Sequence, residues 1–276
     1  MLIISLTTIP SRFHLLQPTL KSIVNQTAKI DRIILYIPKS YRRFPDYDGA
    51  LPDVIDGVEI RHVDDDFGPA TKVLCAAKEF ADQDCDILFC DDDRIYPKNW
   101  AQAFVAERVK QPNACIAALG REANTLFESD QIREHMPRVI KRPWESDYWF
   151  LIRYAWWLLR RRFPAAPDRP RRRVFKVAGY IDMFMGFGGV MVKPSFFDAL
   201  DYDIPDACWT VDDFWISGML MRKGIPIWVP ANIIEPVNSD AYMVDALFAA
   251  EIEGTRRDNA GQICFDYLQE TYGVWP

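Results

Sequence analysis

Between Leu2 and Leu119 the chain alternates short apolar runs with longer segments whose apolar residues fall at helical spacing, and this alternation restricts the fold more than any other feature. "LIISLTTI", "DRIILYIP", "VEIRHV", "CDILFC" and "ACIAAL" have strand length; in the third, Val58, Ile60 and His62 alternate with Glu59 and Arg61. Between them, "SRFHLLQPTLKSIVNQ" puts Leu16, Leu20, Ile23 and Val24 at helical spacing, and "GPATKVLCAAKEFA" does the same with Val73, Leu74, Ala77 and Phe80. "PKNWAQAFVAERVKQ" is a third helical segment. Strands separated by helices predict a parallel, doubly wound sheet with right-handed crossovers, and ligands then bind at the carboxyl edge of its strands. A chain of 276 residues, 49% of them hydrophobic, can bury such a core. No internal repeat is visible.

The predicted fourth strand runs directly into three acids, "CDILFCDDDRIYP", ending in Asp91, Asp92 and Asp93. A second acidic run, Asp64 to Asp66, follows the third strand, so parallel pairing delivers both to one edge. Like charges gathered there repel unless a divalent cation or basic groups offset them, and hard cations such as Mg²⁺ or Mn²⁺ take oxygen ligands. In an extended segment residues i and i+2 share a side, so Asp91 and Asp93 are expected to face one ligand while Asp92 turns away. The plain alternative is a solvated acidic strand end.

A third acidic pair, Asp212–Asp213, precedes "FWISGMLM". Thr210 with Asp213 has capping-box spacing; the functional alternative is a carboxylate kept ionised by a helix N-terminus and acting as a general base. Gly68 and Pro69 open a helix with Lys72 one turn in, where it either reaches a phosphate or is an ordinary solvated lysine. "GFGGV", Gly186 to Val190, is not a dinucleotide fingerprint; its glycines admit a bulky ligand or form a tight turn. The three histidines, 14, 62 and 135, support no Ser-His-Asp order, and His62 reads as structural within its strand.

Net charge of -6 argues against a general nucleic-acid binder. The six cysteines show no CxxC or zinc spacing, and most lie in apolar runs, which suits reduced thiols in a cytoplasm. "MLIISLTTIP" lacks a basic leader region and reads as a first strand, and no stretch approaches the ~18–20 apolar residues of a membrane span. Charge is nevertheless uneven. Residues 151 to 176 hold eight Arg and one Lys against one Asp, a balance of +8, which leaves -6 minus 8, or -14, on the rest. Trp149, Trp156 and Trp157 stand beside Arg153 and Arg160 to Arg162, a pairing that suits an anionic membrane surface, a solvated helix or an oligomer contact.

Taken in order, "LIISLTTIPSRFHLLQPTLKSIVNQ", "LFCDDDRIYP", "GFGGVMVKPSFF" and "VDDFWISGMLMRKG" resemble motifs of the GT-A fold glycosyltransferases, in the style of family 2 and bacterial polysaccharide or lipopolysaccharide enzymes. The resemblance covers most of the chain outside roughly 121 to 176. It implies a Rossmann-like α/β fold with a mostly parallel sheet: a nucleotide-sugar-binding half at 1–120, a basic aromatic insertion at 121–176 and an acceptor-binding half at 177–276. It further implies a metal-dependent transferase that moves a sugar from a nucleotide-diphosphate sugar, commonly UDP-linked, to a hydroxyl of a cell-surface glycan or lipid-linked acceptor. Thr7, Thr8, Pro10, Arg12, Asp66, Lys72, Asp91 and Asp92 would border the nucleotide sugar; Asp91 and Asp93 would hold Mn²⁺ or Mg²⁺. Asp213, or failing it Asp212, would be the base, and Gly188, Gly189 and Trp215 would meet the acceptor. The location implied is the cytoplasm, peripheral to the inner membrane face through residues 149–176. One departure is that no histidine after His135 is present to complete the metal shell; Asn238, Asp240 or water would have to do so. Two rivals share the scaffold: a sugar-phosphate nucleotidyltransferase, which ordinarily carries a Gly-rich loop after strand one where "SLTTIPSRF" has no glycine, and a non-catalytic glycan- or membrane-binding module.

Overall fold

The computed structural model describes residues 1–123, 135–163, 169–231, 233–247, 251–252 and 255–275. The parts of the insertion at 124–134 and 164–168 lie outside them. The expected strands and helices form at the predicted places: β1 (Leu2–Thr7), α1 (Gln17–Val24), β2 (Arg32–Pro38), β3 (Glu59–Val63), α2 (Thr71–Glu79), β4 (Asp86–Phe89), α3 (Trp100–Lys110) and β5 (Cys115–Ala117). The segment after β1 is a 3-10 turn, Pro10–Leu15, with the α-helix starting only at Gln17, because Pro18 fits no later than the first turn.

Three further strands, β6 (Gly179–Ile181), β7 (Val190–Val192) and β8 (Ile227–Val229), complete an eight-stranded sheet of order β6-β8-β5-β7-β4-β1-β2-β3. Here the structure departs from an all-parallel sheet. β7 runs antiparallel between β4 and β5, with Val190 beside both Phe89 and Ala117, and β6 runs antiparallel to β8. The sheet is mostly parallel. Strand β7 is buried on both faces, so its Val-Met-Val run shows no alternation, and strand direction is not encoded in such a run. Its direction has a consequence for the site: the glycine turn that precedes it, Gly186 to Gly189, lies beside the carboxyl end of β4 rather than at the far edge.

Helix α4 (Tyr148–Arg160) forms the centre of the insertion, α5 (Asp212–Arg222) follows β7, and α6 (Arg257–Tyr272) closes the described chain. Helices α5 and α6 pack closely where Gly218 meets Leu268; a Cβ at Gly218 would stand 2.7 Å from Leu268 Cδ1. Short strands at Val237–Asn238 and Glu251–Ile252 and a 3-10 turn at Asp240–Met243 precede α6. All six cysteines are free and buried.

Gly188 and Gly189 serve packing at this position. Trp100 Nε1 donates to Gly188 O at 2.8 Å. Gly189 has φ +96, and a Cβ there would lie 2.4 Å from the Trp100 ring. Gly189→Ala is expected to cost about 2–4 kcal/mol, since strained backbone adds to overpacking. Gly57→Ala, at φ +91 with nothing within 4 Å, should incur only the backbone part, about 1–2 kcal/mol. Urea denaturation of the two variants measures the difference.

Candidate active site

The carboxyl ends of β1 and β4, the first turns of α2 and α5, and the segment 237–247 enclose a cleft of about 670 Å³. Thr7, Thr8, Arg12, Asp66, Lys72, Asp91, Asp92, Asp93, Asp212 and Asp213 all line it. Ten residues from four separate stretches of sequence therefore meet in one space.

The triple aspartate does not behave as an extended strand end. β4 stops at Phe89 and Asp92–Asp93 form a turn, so the i, i+2 alternation of an extended segment does not apply; Asp92 and Asp93 meet at Arg12 Nη1 while Asp91 turns to Lys72. Asp91 Oδ1 lies 2.8 Å from Lys72 Nζ. Asp92 is buried, accepting from Thr8 Oγ1 at 2.5 Å and from the Arg12 guanidinium at 2.7 Å. Asp93 lies between Arg12, 3.4 Å from Oδ2, and Arg94, whose Nε is 3.3 Å from Oδ1. Basic groups thus offset much of the charge, the second of the two remedies open to such a cluster.

Lys72 corrects a sequence expectation. It is not a solvated lysine. It is buried, and its Nζ bridges Asp91 Oδ1 and Asp212 Oδ2, both at 2.8 Å. Burial disfavours the ammonium, but Asp212, Asp91 and Asp213 outweigh it and raise the Lys72 pKa above its ordinary value. The Ser5 hydroxyl donates to the Lys72 carbonyl, fixing the first turn of α2 against β1.

The capping box expected from Thr210 is absent: α5 has Val211 as its N-cap, without a side-chain cap. Asp212 and Asp213 both lie in the first turn with distinct surroundings. Asp212 is buried against Lys72, whereas Asp213 is half-buried in the cleft wall and accepts from Gly186 N at 3.0 Å. A Cβ at Gly186 would sit 2.8 Å from Asp213 Oδ1, so a side chain there would displace that carboxylate.

Asp66 accepts from the backbone N–H groups of Arg42 at 2.7 Å and Gly68 at 2.9 Å, and burial raises its pKa despite those donors. The other expected residues lie elsewhere. Pro10 opens the 3-10 turn that carries Arg12 and is not part of the cleft wall. Trp215 is fully buried, donating to Asp201 O at 2.9 Å. Gly188 and Gly189 are buried against Trp100 and likewise do not line the cleft.

Sequence reasoning missed much of the basic lining. Arg43, Arg94 and Arg121 face the cleft, with Trp209 and Tyr242 as aromatic walls. Arg43 is held by Asp245 O at 3.2 Å and its pKa is lowered, burial being the main cause. Arg94 stacks between Phe187 and Tyr242, at 4.3 and 4.8 Å from the ring centroids. Only Arg94, directly after the aspartates, offered a signal in the sequence.

Of the three aspartates, Asp93 is the one whose surroundings could take a divalent cation. Its Oδ1 is buried and has no hydrogen-bond partner. Burial, then Asp91 and Asp92, push its pKa up to about 7, the state of a carboxylate short of positive charge. No group of three or more His, Cys, Asp or Glu side chains converges among the described residues, so protein ligands would be few. Mg²⁺ and Mn²⁺ accept such sites, completing their shell with water and phosphate oxygens. Asn238, one substitute considered for a third ligand, is taken by the Arg94 guanidinium, and Asp240 is exposed.

Two predictions follow from these charges. Between its ordinary 3.8 and about 7, Asp93 holds a proton in the folded chain that the unfolded chain has released. Stability therefore falls as pH rises through that window. Asp93→Asn should flatten the fall and raise the thermal midpoint above neutral pH in metal-free buffer. For Lys72→Met the expected loss is about 3–5 kcal/mol, because Asp212 is left buried without its counter-charge. Adding Asp212→Asn should recover part of that loss in denaturant titrations.

Solved structures resemble the chain in fold. GalNAc-T7, solved with UDP, GalNAc and Mn²⁺, superposes with a TM-score of 0.52 at 13% identity, over 98% of this chain and 47% of that one. TarS of S. aureus matches with a TM-score of 0.44 at 10% identity, over 98% of this chain and 44% of that one. A mannosyltransferase from Pyrobaculum calidifontis, in complex with GDP-Man and Mn²⁺, gives 0.44 at 14% identity, over 84% and 55% respectively. The chain thus spans about half the length of these structures. No family model and no curated protein sequence matches it. The likeness to the first structure establishes the GT-A fold.

Proposed function

We propose that this protein is a divalent-metal-dependent, inverting glycosyltransferase that moves a sugar from a nucleotide-diphosphate sugar, UDP-linked by first expectation, to a hydroxyl of a cell-surface glycan or lipid-linked precursor. One observation carries the reading: a single cleft has the Asp91–Asp93 turn on one wall and the Asp212–Asp213 helix start on another, tied together by Lys72. Glycosyl transfer needs these two walls. One side must accept negative charge leaving with the diphosphate, and the other must take a proton from the incoming hydroxyl.

On the donor side, Asp93 and Asp91 would hold Mn²⁺ or Mg²⁺. When bound, the ion supplies Lewis-acid stabilisation of the leaving diphosphate. Arg43, Arg94 and Arg121 add positive charge along the same cleft, and Thr7, Thr8 and Asp66 border the space for the nucleoside. Arg12 and Lys72 act indirectly, the first orienting Asp92 and Asp93 and the second orienting Asp91. On the acceptor side, Asp213 is the base. It faces the cleft and is oriented by the Gly186 N–H, while Asp212 is already paired with Lys72. The acceptor O–H proton passes to Asp213, the new bond forms between that oxygen and the anomeric carbon, and the bond from the anomeric carbon to the phosphate oxygen breaks with its electron pair leaving on the nucleotide. Attack opposite the leaving group inverts the configuration, by the single-displacement logic of inverting glycosidases. Six free, buried thiols accord with a reducing cytoplasm as the place of work.

Screening UDP-, GDP- and dTDP-sugars by thermal shift should find one that stabilises the protein only with Mn²⁺ or Mg²⁺, and Asp93→Asn should abolish the shift. Asp213→Asn should keep the shift and lower turnover by about 10²–10⁴-fold. An NMR spectrum of the product with retained anomeric configuration would remove Asp213 from the role of base.

A further inference from the structure

The outward face of α4 has no partner among the described residues. Trp149, Ile152, Trp156 and Leu159, with Phe163 just beyond the helix end, recur at spacings of three and four and are between 56% and 78% exposed. The opposite face is used. Phe150 is buried, Trp144 packs edge-on against Phe150 and Tyr154, and Arg169 covers Tyr154 and Trp157. Asp147 caps the helix, accepting from Phe150 N at 3.4 Å. The helix is therefore held along one side and presents a second apolar side to solvent, an arrangement that costs free energy in water unless another surface covers it.

Charge indicates what covers it. Arg153 and Arg160 flank the apolar face, and Arg161 and Arg162 follow at its C-terminal end. The segment 151–176 carries +8 on a chain that is otherwise -14. Two copies meeting symmetrically through this helix would bring two such basic patches together, which opposes self-association. An anionic bilayer presents what the helix lacks, an apolar layer for the Trp, Ile and Leu side chains beneath negative headgroups for the arginines. Arg160 stacks on Trp156 at 4.9 Å, so ring and guanidinium can lie together at the headgroup level.

We infer that α4 is an interfacial anchor that lies in the plane of an anionic lipid surface, with Trp149, Ile152, Trp156, Leu159 and Phe163 inserted. Both roots of the insertion reach the cleft rim, since Arg121 at its start and Met183 just after its return line the cleft. Arg138 ties the returning segment to the body through Glu122 at 2.9 Å and Asp182 at 2.5 Å. Docking therefore brings the cleft close to the headgroups, where a lipid-linked acceptor would present its hydroxyl. That last consequence rests on the proposed transferase reading; the docking does not.

The test floats the full chain with phosphatidylcholine vesicles, with and without phosphatidylglycerol, at low and high salt. The protein should rise with the phosphatidylglycerol vesicles and be recovered roughly tenfold less with pure phosphatidylcholine or at high salt. Trp149→Ser with Trp156→Ser should lower recovery to a similar extent while leaving the thermal midpoint and the donor-induced thermal shift unchanged. Ile152→Ser with Leu159→Ser provides a second pair in case the first unfolds. Absence of flotation, equal recovery on neutral and anionic vesicles, or recovery insensitive to both pairs of substitutions overturns the inference. So does concentration-dependent dimerisation that the same substitutions abolish, which would assign the face to a second copy. Because the donor shift is read separately, failure of docking leaves the cleft assignment standing, and failure of donor binding leaves the anchor standing.

Discussion

The site depends on one buried cation. Lys72 leaves the first turn of α2 and holds Asp91 after β4 and Asp212 at the start of α5, both at 2.8 Å. Three elements distant in sequence are joined at a single nitrogen. Dehydrating an ammonium and two carboxylates is costly, and mutual attraction repays that cost only in good geometry, so the arrangement specifies a position more than it adds stability. What it specifies is the spacing between the two acidic walls of the cleft. Asp213, one residue beyond Asp212, is positioned by the same contact.

The remaining acids follow a graded pattern. Asp92 is satisfied by Thr8 and Arg12 and is structural in its contacts. Asp93 has an oxygen that accepts no hydrogen bond, only an ion pair with Arg94 at 3.3 Å, and a pKa raised by burial and by its neighbours. Of three consecutive aspartates, the third is the least well compensated, although Arg12 and Arg94 stand 3.4 and 3.3 Å from it. Arg12 also donates to Val244 O at 2.8 Å, and Ser239 N to Asp93 O at 2.9 Å, so the segment 237–247 is bound to the acidic turn. Both ends of the sequence contribute to the same few ångströms.

Much of this was legible before the structure. The strand and helix pattern up to Leu119 reads correctly because local periodicity there agrees with burial, and the placement of Asp66, Asp91 and Asp93 at one edge follows from parallel strands alone. The errors have local causes. The i, i+2 argument for Asp91 and Asp93 fails because β4 ends at Phe89 and the chain turns at Asp92–Asp93. Trp215 and Gly189 stand within motif-like segments, yet both are buried against neighbours, Asp201 and Trp100, that no spacing rule connects to them. Arg43 and Arg121 went unnoticed because a lone arginine carries no pattern.

By itself the sequence determined the alternating α/β order, the acidic edge and the one basic, tryptophan-rich segment, since each is a property of neighbouring residues or of simple periodicity. Only the tertiary structure decided that β7 enters the sheet antiparallel, that Lys72 bridges two carboxylates instead of facing solvent, and that no described residue covers the aromatic face of α4. Those outcomes depend on pairs of residues far apart in the chain, and burial, charge compensation and exposure are quantities that exist only once such pairs have met.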